Sequence, residues 1–314
     1  MTVQQKRGAL DGIRILDLST VIAAPFGATL LGDFGAEVIK VEMPGVGDPL
    51  RNLGPYYEGE GLRWSGIARN KKSLTLDLRQ EKGKEILKEL VKQSDVVIEN
   101  FRTGTLEKWG IGYEALKEVN PELIMVRVTG YGQTGPYAHK AGFGTPATAF
   151  SGFTYLHGYP DRPPISPSFS LTDYVTGIYV AFATMTALYY RDCQEDGVGQ
   201  SVDVSLYESM FRMLEFLVTD YDQTGHIKER SPGLSGHSAP AGNFLTKDGS
   251  WIILVTSSDK TFERLCTLDS FHVERYGYCF DRTYINEFLK LYNKNPYFER
   301  YHHLISYSLT KYWD

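Results

Sequence analysis

Up to Thr129 the chain alternates short apolar runs with stretches of helical period. Ile13 to Leu18 reads as a buried strand, the small-residue segment Ala23-Ala24-Pro25 as a loop, and the residues up to Phe34 as a helix closed by Gly35-Ala36. Glu37 to Glu42 reads as a second strand, which makes a β-α-β unit with a right-handed crossover. The alternation continues through a strand at Leu74 to Leu78 and a helix at Glu81 to Gln93, with Ile86, Leu87, Leu90 and Val91 on one face. Asp95 to Glu99, a short helix at Thr105 to Trp109, and Leu123 to Thr129 follow. Strands alternating with helices predict a Rossmann-like, doubly wound α/β domain with a parallel sheet.

Tyr131 to Pro167 is rich in glycine and reads as loop. A long apolar helix then starts near Asp173 and ends before Gly197. Gln200 to Val204 reads as a strand and Leu206 to about Tyr221 as one helix. Asn243 to Thr246 and Trp251 to Thr256, joined by Lys247-Asp248-Gly249-Ser250, predict a hairpin, because Asp-Gly suits its tight turn. A boundary near Asp222 to Ser231 separates a large α/β domain, residues 1–222, from a smaller α+β domain, residues 231–314.

Composition narrows the function. A net charge of −5, with Lys and Arg spread along the chain, gives no basic surface for nucleic acid. The longest apolar run, Val175 to Tyr190, is too short and too rich in Thr and Tyr to span a membrane. The polar start, Met1 to Leu10, lacks the apolar core of a signal peptide. Three scattered cysteines, Cys193, Cys266 and Cys279, read as reduced thiols, so a cytoplasmic enzyme is expected. No His/Cys/Asp cluster has metal-ligand spacing, and no metal is expected. The first β-α turn, Ser19 to Pro25, lacks G-x-G-x-x-G, and no P-loop lysine motif occurs, so the ligand of this sheet is neither NAD nor ATP held in the usual way.

Asp173 opens the segment Asp173-Tyr174-Val175-Thr176-Gly177 at the mouth of the apolar helix. A carboxylate there either caps free N–H groups or carries chemistry, and the local pattern alone does not decide. Glu42 and Glu99 end strands and read as ordinary loop-entry residues. His139 and His157 are lone loop histidines, and His302-His303 sit in a tyrosine-rich tail.

Six segments together resemble the family III CoA-transferases, also called the CaiB/BaiF family. They are Leu10 to Leu18 with Ala24-Pro25 and Gly35 to Glu42; Asn70 to Leu78; Asp95 to Arg102; Thr129 to Pro136; the Asp173 motif; and Gly197 to Ser205. Their order and spacing match from about residue 10 to about residue 265. The resemblance implies an interlocked homodimer in which each chain threads through the other. Coenzyme A or an acyl-CoA would be bound as substrate along the large domain, with a carboxylic acid as acceptor. It puts the catalytic aspartate at Asp173 and the CoA-lining positions at Val21, Ile22, Ala23, Asn100, Phe101 and Lys108. A basic residue common after the second strand is Met43 here, so Lys71, Lys72 or Arg102 would serve the phosphates.

An aspartate suits that chemistry. A carboxylate can attack an acyl-CoA thioester to give a mixed anhydride, and the released thiolate can then form an aspartyl-CoA thioester, splitting one hard step into easier ones. An ordinary carboxyl, with a pKa of about 3.9, is anionic at pH 7. Oxyanion donors are needed, and the loop Gly233 to Gly242 is either their source or a plain linker. Racemases of this fold pair the aspartate with a histidine, where this chain has Phe143, which carries no proton. Family members continue past the small domain, and Phe271 to Asp314 matches their pattern poorly, so a truncated, non-catalytic relative is the other alternative.

Overall fold

A computed structural model describes residues 8–214, 216–231, 241–245, 249–258, 260, 261 and 264. The chain divides into two compact units, Met1–Leu156 with Pro164–Lys228, and His157–Pro163 with Glu229–Asp314. In the first unit the chain runs β1 (Arg14–Asp17), α1 (Ala23–Asp33), β2 (Glu37–Glu42), the two-residue strands β3 (Tyr56–Tyr57) and β4 (Glu60–Gly61), and α2 (Leu62–Ala68). It continues through β5 (Lys71–Thr75), α3 (Glu81–Val91), β6 (Val96–Glu99), α4 (Thr105–Lys108), α5 (Tyr113–Lys117) and β7 (Ile124–Thr129). Then come α6 (Gly144–Phe150), α7 (Leu171–Cys193), β8 (Ser201–Ser205), α8 (Leu206–Phe211) and α9 (Leu217–Thr224). The second unit holds the antiparallel pair β9 (Ala241–Leu245) and β10 (Trp251–Val255).

Six strands form one parallel sheet in the order β5-β2-β1-β6-β7-β8. Chain direction across the sheet reverses between β1 and β6, so the crevice beyond their carboxyl ends is where a ligand is expected. Each sheet face carries its own core. Ile15, Val38, Val96, Ile98 and Val126 pack with Ala24, Ala28 and Leu31 of α1 and Val180 and Leu188 of α7. Leu16, Val41, Val97 and Met125 pack on the other face with Leu87 and Val91 of α3 and Leu106 and Leu116. Both-face burial explains why these strands read as continuous apolar runs.

Several boundaries differ from the sequence reading. Ala23-Ala24-Pro25 is the first turn of α1 rather than a loop, because proline is tolerated where no N–H partner is available. The strand placed at Leu74 to Leu78 lies at Lys71–Thr75, where it pairs with Val38 to Glu42. Ile86 is exposed, while Gly83, Leu87 and Val91 make the buried face of α3. The glycine-rich segment contains α6. The helix read from Leu206 to Tyr221 is two, α8 and α9, although no glycine or proline marks the break.

Candidate active site

α7 begins at Leu171, which places Asp173 in its first turn, where the helix dipole favours an anion. Its carboxylate caps nothing. Among the described residues no hydrogen bond or ion pair reaches it. Burial with no compensating partner pushes its pKa up to about 6. The carboxylate lies against the first residue of α6: a Cβ at Gly144 would fall 2.5 Å from Asp173 Oδ2 and 3.0 Å from Cγ. Beside it, the Thr148 and Thr172 hydroxyls share a 2.5 Å hydrogen bond and line a small cleft with Gly144, Ser166 and Ser170. One turn into α7 the buried Thr176 hydroxyl has no partner among the described residues.

α7 packs along α1 at close range. A Cβ at Gly177 would sit 2.8 Å from the Ala23 carbonyl oxygen and 2.6 Å from Phe26 Cδ1. The ring of Tyr174, next to Asp173, meets Phe26 edge-on at 4.9 Å. Ile22, Leu50 and Ile67 form the buried centre of the same region, with Val21, Phe26, Trp64 and Tyr174 around them. The helix that carries Asp173 is thereby packed against Ala23 at the start of α1, next to the loop residues Val21 and Ile22.

That loop is fastened from several directions. Asn100, just past β6, accepts the Thr20 N–H at 2.8 Å and donates to the Thr20 carbonyl at 2.8 Å. The Val21 N–H donates to the Asp48 carboxylate at 3.1 and 3.3 Å. Lys40 donates to the Ser19 carbonyl and pairs with Asp48 at 3.1 Å and with Asp17 at 3.8 Å. Lys71 donates to Asp17 at 2.8 Å and to the Pro25 carbonyl at 2.6 Å. These four side chains carry two positive and two negative charges and are 2% exposed or less. Burial works against the Asp17 carboxylate, but Lys40 and Lys71 outweigh it and hold its pKa below the ordinary value.

The expected CoA-lining residues therefore separate into groups. Val21, Ile22, Ala23 and Asn100 lie together next to the helix of Asp173. Phe101 packs edge-on against Trp109 at 5.3 Å, in the core beneath the loop after β6. Arg102 and Lys108 are exposed, and among the described residues their side chains have no partner. Lys71 does not fit the phosphate role, because its ammonium is buried and committed to Asp17 and Pro25. Lys72 alternates to the opposite side of β5 and pairs with Glu37 at 2.6 Å.

The remaining candidates also find places. Glu42 forms a two-point pair with Arg51 at 2.8 Å each, which holds its pKa down at about 2, and Arg51 stacks on Trp64 at 3.8 Å. Glu99 pairs with Arg127 and accepts the Phe101 N–H. Both strand-end carboxylates thus have protein partners. Nearby, Tyr131 lies in a four-ring cluster with Tyr137, Phe150 and Tyr207. Phe143 precedes Gly144 and is 72% exposed. Residues 232–240 of the glycine loop and His302-His303 lie outside the described residues, as does most of the chain after Thr261. Among the described residues no acidic, histidine or cysteine cluster is arranged to hold a metal ion, and no helix is long and apolar enough to cross a membrane. The sequence reading missed Gly144, Lys40 and Asp48. Nothing local distinguishes Gly144 from its neighbouring loop glycines, and Lys40 and Asp48 reach Asp17, Ser19 and Val21 only through the assembled sheet and loop.

The family described as CoA-transferase family III matches residues 10–276. Over 266 residues the chain is 46% identical to the succinyl-CoA–D-citramalate CoA-transferase of Chloroflexus aurantiacus, covering 84% of this chain and 66% of that protein. It is 49% identical over 259 residues to the beta subunit of succinyl-CoA–L-malate CoA-transferase from the same organism, covering 82% and 64%. It is 37% identical over 260 residues to human succinyl-CoA:glutarate CoA-transferase, covering 82% and 59%. The crystal structure of a CAIB/BAIF family protein from Brucella suis superposes with a TM-score of 0.76 at 36% identity, over 84% of this chain and 70% of that one. The chain spans about three fifths to two thirds of the length of these curated relatives.

Proposed function

This chain belongs to CoA-transferase family III, and from that membership we propose that it transfers coenzyme A from an acyl-CoA to a carboxylic acid, with Asp173 as covalent nucleophile. The observation that carries the reading is the Asp173 carboxylate, partly buried, without a partner among the described residues, and carried on the helix that packs through Gly177 against Ala23. A carboxyl raised to about 6 is still largely ionised at pH 7, and it is poorly solvated and free to attack. In the first step a carboxylate oxygen of Asp173 adds to the thioester carbonyl. Collapse of the tetrahedral adduct expels CoA thiolate and leaves a mixed anhydride. The thiolate attacks the aspartyl carbonyl, giving aspartyl-CoA and the free donor acid. The acceptor carboxylate then attacks aspartyl-CoA, and the returning thiolate takes the acceptor acyl group and restores Asp173. Bonds made and broken match at each stage, so no ATP is required.

Coenzyme A would run along Val21, Ile22, Ala23, Asn100 and Phe101, with Arg102 and Lys108 as the exposed cations available to its phosphates. Lys72 would join them only by leaving Glu37. The names of the relatives favour succinyl-CoA as donor and a four- or five-carbon dicarboxylic acid as acceptor. The interlocked homodimer and the cytoplasmic setting belong to the same proposal. Exchange of isotopically labelled succinate into succinyl-CoA tests the reading without knowledge of the true acceptor. Wild type is expected to exchange label and to yield an Asp173 hydroxamate on hydroxylamine trapping, found by peptide mass spectrometry. Asp173→Ala should lose exchange by about a thousandfold or more, the scale of losing a nucleophile. Near-wild-type exchange in that variant would sink the proposal.

A further inference from the structure

The loop from Ser19 to Ile22 contains a backbone conformation that its sequence resists. Val21 has φ of +69°. In the left-handed region a β-branched side chain is crowded against its own backbone, so this residue stays there only when its surroundings over-determine it. The surroundings do so. The residue before Val21 is clasped at both backbone groups by Asn100, and the residue before that is held by Lys40. The Val21 N–H is itself held by Asp48, which takes it on both carboxylate oxygens. Asp48 serves three donors at once: Val21 N–H, Leu50 N–H at 2.9 Å and the Lys40 ammonium at 3.1 Å. Only a carboxylate has acceptors on both sides for such a set. The Glu42 carboxylate in turn fixes the Asp48 N–H at 2.9 Å.

We propose that Asp48 is a positioning residue that, charged against Lys40, holds Val21 left-handed and so fixes the β1–α1 loop in the shape that binds coenzyme A. The inference rests on the reading of that loop as CoA-lining, and adds to it residues that touch no ligand themselves. In Asp48→Asn the single amide oxygen faces either Lys40 or the two backbone N–H groups, and the NH2 group then opposes a donor. Val21 is released to the φ < 0 conformation that valine prefers, and Ile22 and Ala23 move with it. Glycine adopts φ > 0 about as readily as φ < 0, so Val21→Gly removes the need for the clamp.

The test compares wild type, Asp48→Asn, Val21→Gly and the double variant in the full chain. It reads coenzyme A dissociation constants by calorimetry, and KM and kcat in succinate exchange. Asp48→Asn is expected to weaken coenzyme A binding and raise the KM for succinyl-CoA about tenfold, the scale of one unsupported left-handed residue. Its kcat should stay within about threefold, because Asp173 is carried by α7. Adding Val21→Gly is expected to recover most of the lost affinity. Two results overturn the inference: unchanged coenzyme A affinity in a folded Asp48→Asn, or a loss that is the same with Val and with Gly at position 21, which marks general damage. Should Asp48→Asn fail to fold, Asp48→Glu decides, with Val21→Gly as the reference for whatever the lost valine side chain itself costs. Asp48→Glu keeps the charge opposite Lys40 but displaces the carboxylate from the Val21 N–H. It must therefore weaken coenzyme A binding with Val and not with Gly at position 21, and unchanged affinity with Val overturns the inference. A wild-type chain that neither binds coenzyme A nor exchanges label defeats the family activity as well, which separates the two failures.

Discussion

The four-charge network around Asp17 and the lone carboxylate of Asp173 are built on opposite principles. Asp17, Lys40, Asp48 and Lys71 are almost fully buried, equal in number of each sign, and bonded to one another and to backbone carbonyls. Asp173 is only partly buried, yet among the described residues it has no partner at all. Asp17 is held below its ordinary pKa and Asp173 is lifted to about 6. Burial alone therefore does not tell these two carboxylates apart. What distinguishes them is whether neighbouring donors compensate for lost water. The first group is satisfied and keeps a loop in place. The second is unsatisfied, and its uncompensated charge is what an incoming electrophile would relieve.

The comparison breaks most visibly if the paired group is left unbalanced. Lys40→Met fits the volume but strands two carboxylates on Lys71 alone. Breaking a buried pair by removing one partner costs about 3–5 kcal/mol. Urea unfolding should show a loss of that size, with an unchanged slope if both states keep their compactness. A loss under about 1 kcal/mol would mean that the four charges are not acting as one network.

None of that network was legible from the sequence, although its members were in plain view. Lys71 and Lys72 are adjacent and chemically alike, and strand alternation sends one into the protein and the other to solvent. Which goes in depends on the register of β5 against β2, and the apolar run Leu74 to Leu78 points to a strand three residues later than the one that forms. Asp17 and Lys71 are 54 positions apart, a pairing that only the assembled sheet creates. Most of the sheet was readable, because its central strands are buried on both faces and read as short apolar runs between helical stretches. α7 was readable for the same reason. α6 was not: Gly144 to Phe150 is short, and Pro146 reads as a breaker although the first turn of a helix accommodates it. Asp173 was found through the resemblance of its motif. Its lack of a partner became visible only with the side chains around it.

The unpaired carboxylate makes the opposite prediction for stability. In the folded protein Asp173 keeps its proton up to about pH 6, and in the unfolded chain only to about pH 3.8. Folding is therefore progressively penalised as pH rises between those values, and the penalty is complete above them. A tenfold change in proton affinity corresponds to about 1.4 kcal/mol, so the penalty is at most about 3 kcal/mol, and about 2 when residual solvent contact is allowed for. Asp173→Asn has the same shape and no charge to bury. Its thermal midpoint should match wild type near pH 4 and exceed it by several degrees at pH 7, while succinate exchange is lost. A variant less stable than wild type at pH 7 would mean that the carboxylate is satisfied after all. The paired carboxylate Asp17 runs the other way, since its contribution is lost as pH falls.

The smallest change separates position from charge. Gly144 lies where any side chain meets the Asp173 carboxylate, at 2.5 Å from Oδ2 for a single methyl group. Its own φ is not in the left-handed region, so alanine is compatible with the backbone there. Within a helix that replacement removes some chain entropy from the unfolded state and is neutral or stabilising by roughly 0.5–1 kcal/mol. Gly144→Ala should then melt at or slightly above the wild-type temperature. Its carboxylate, however, has to turn away from its present place, and displacing a reacting group by about 1 Å costs up to about a hundredfold in rate. We expect kcat for succinate exchange to fall about tenfold with the dissociation constant of coenzyme A unchanged, because the methyl group touches Asp173 and not the loop of Val21 to Ala23. Equal losses in kcat and in coenzyme A affinity would mean that the two halves of the site are not separable. Undiminished kcat would mean that the attacking carboxylate does not occupy this position against Gly144 when it reacts.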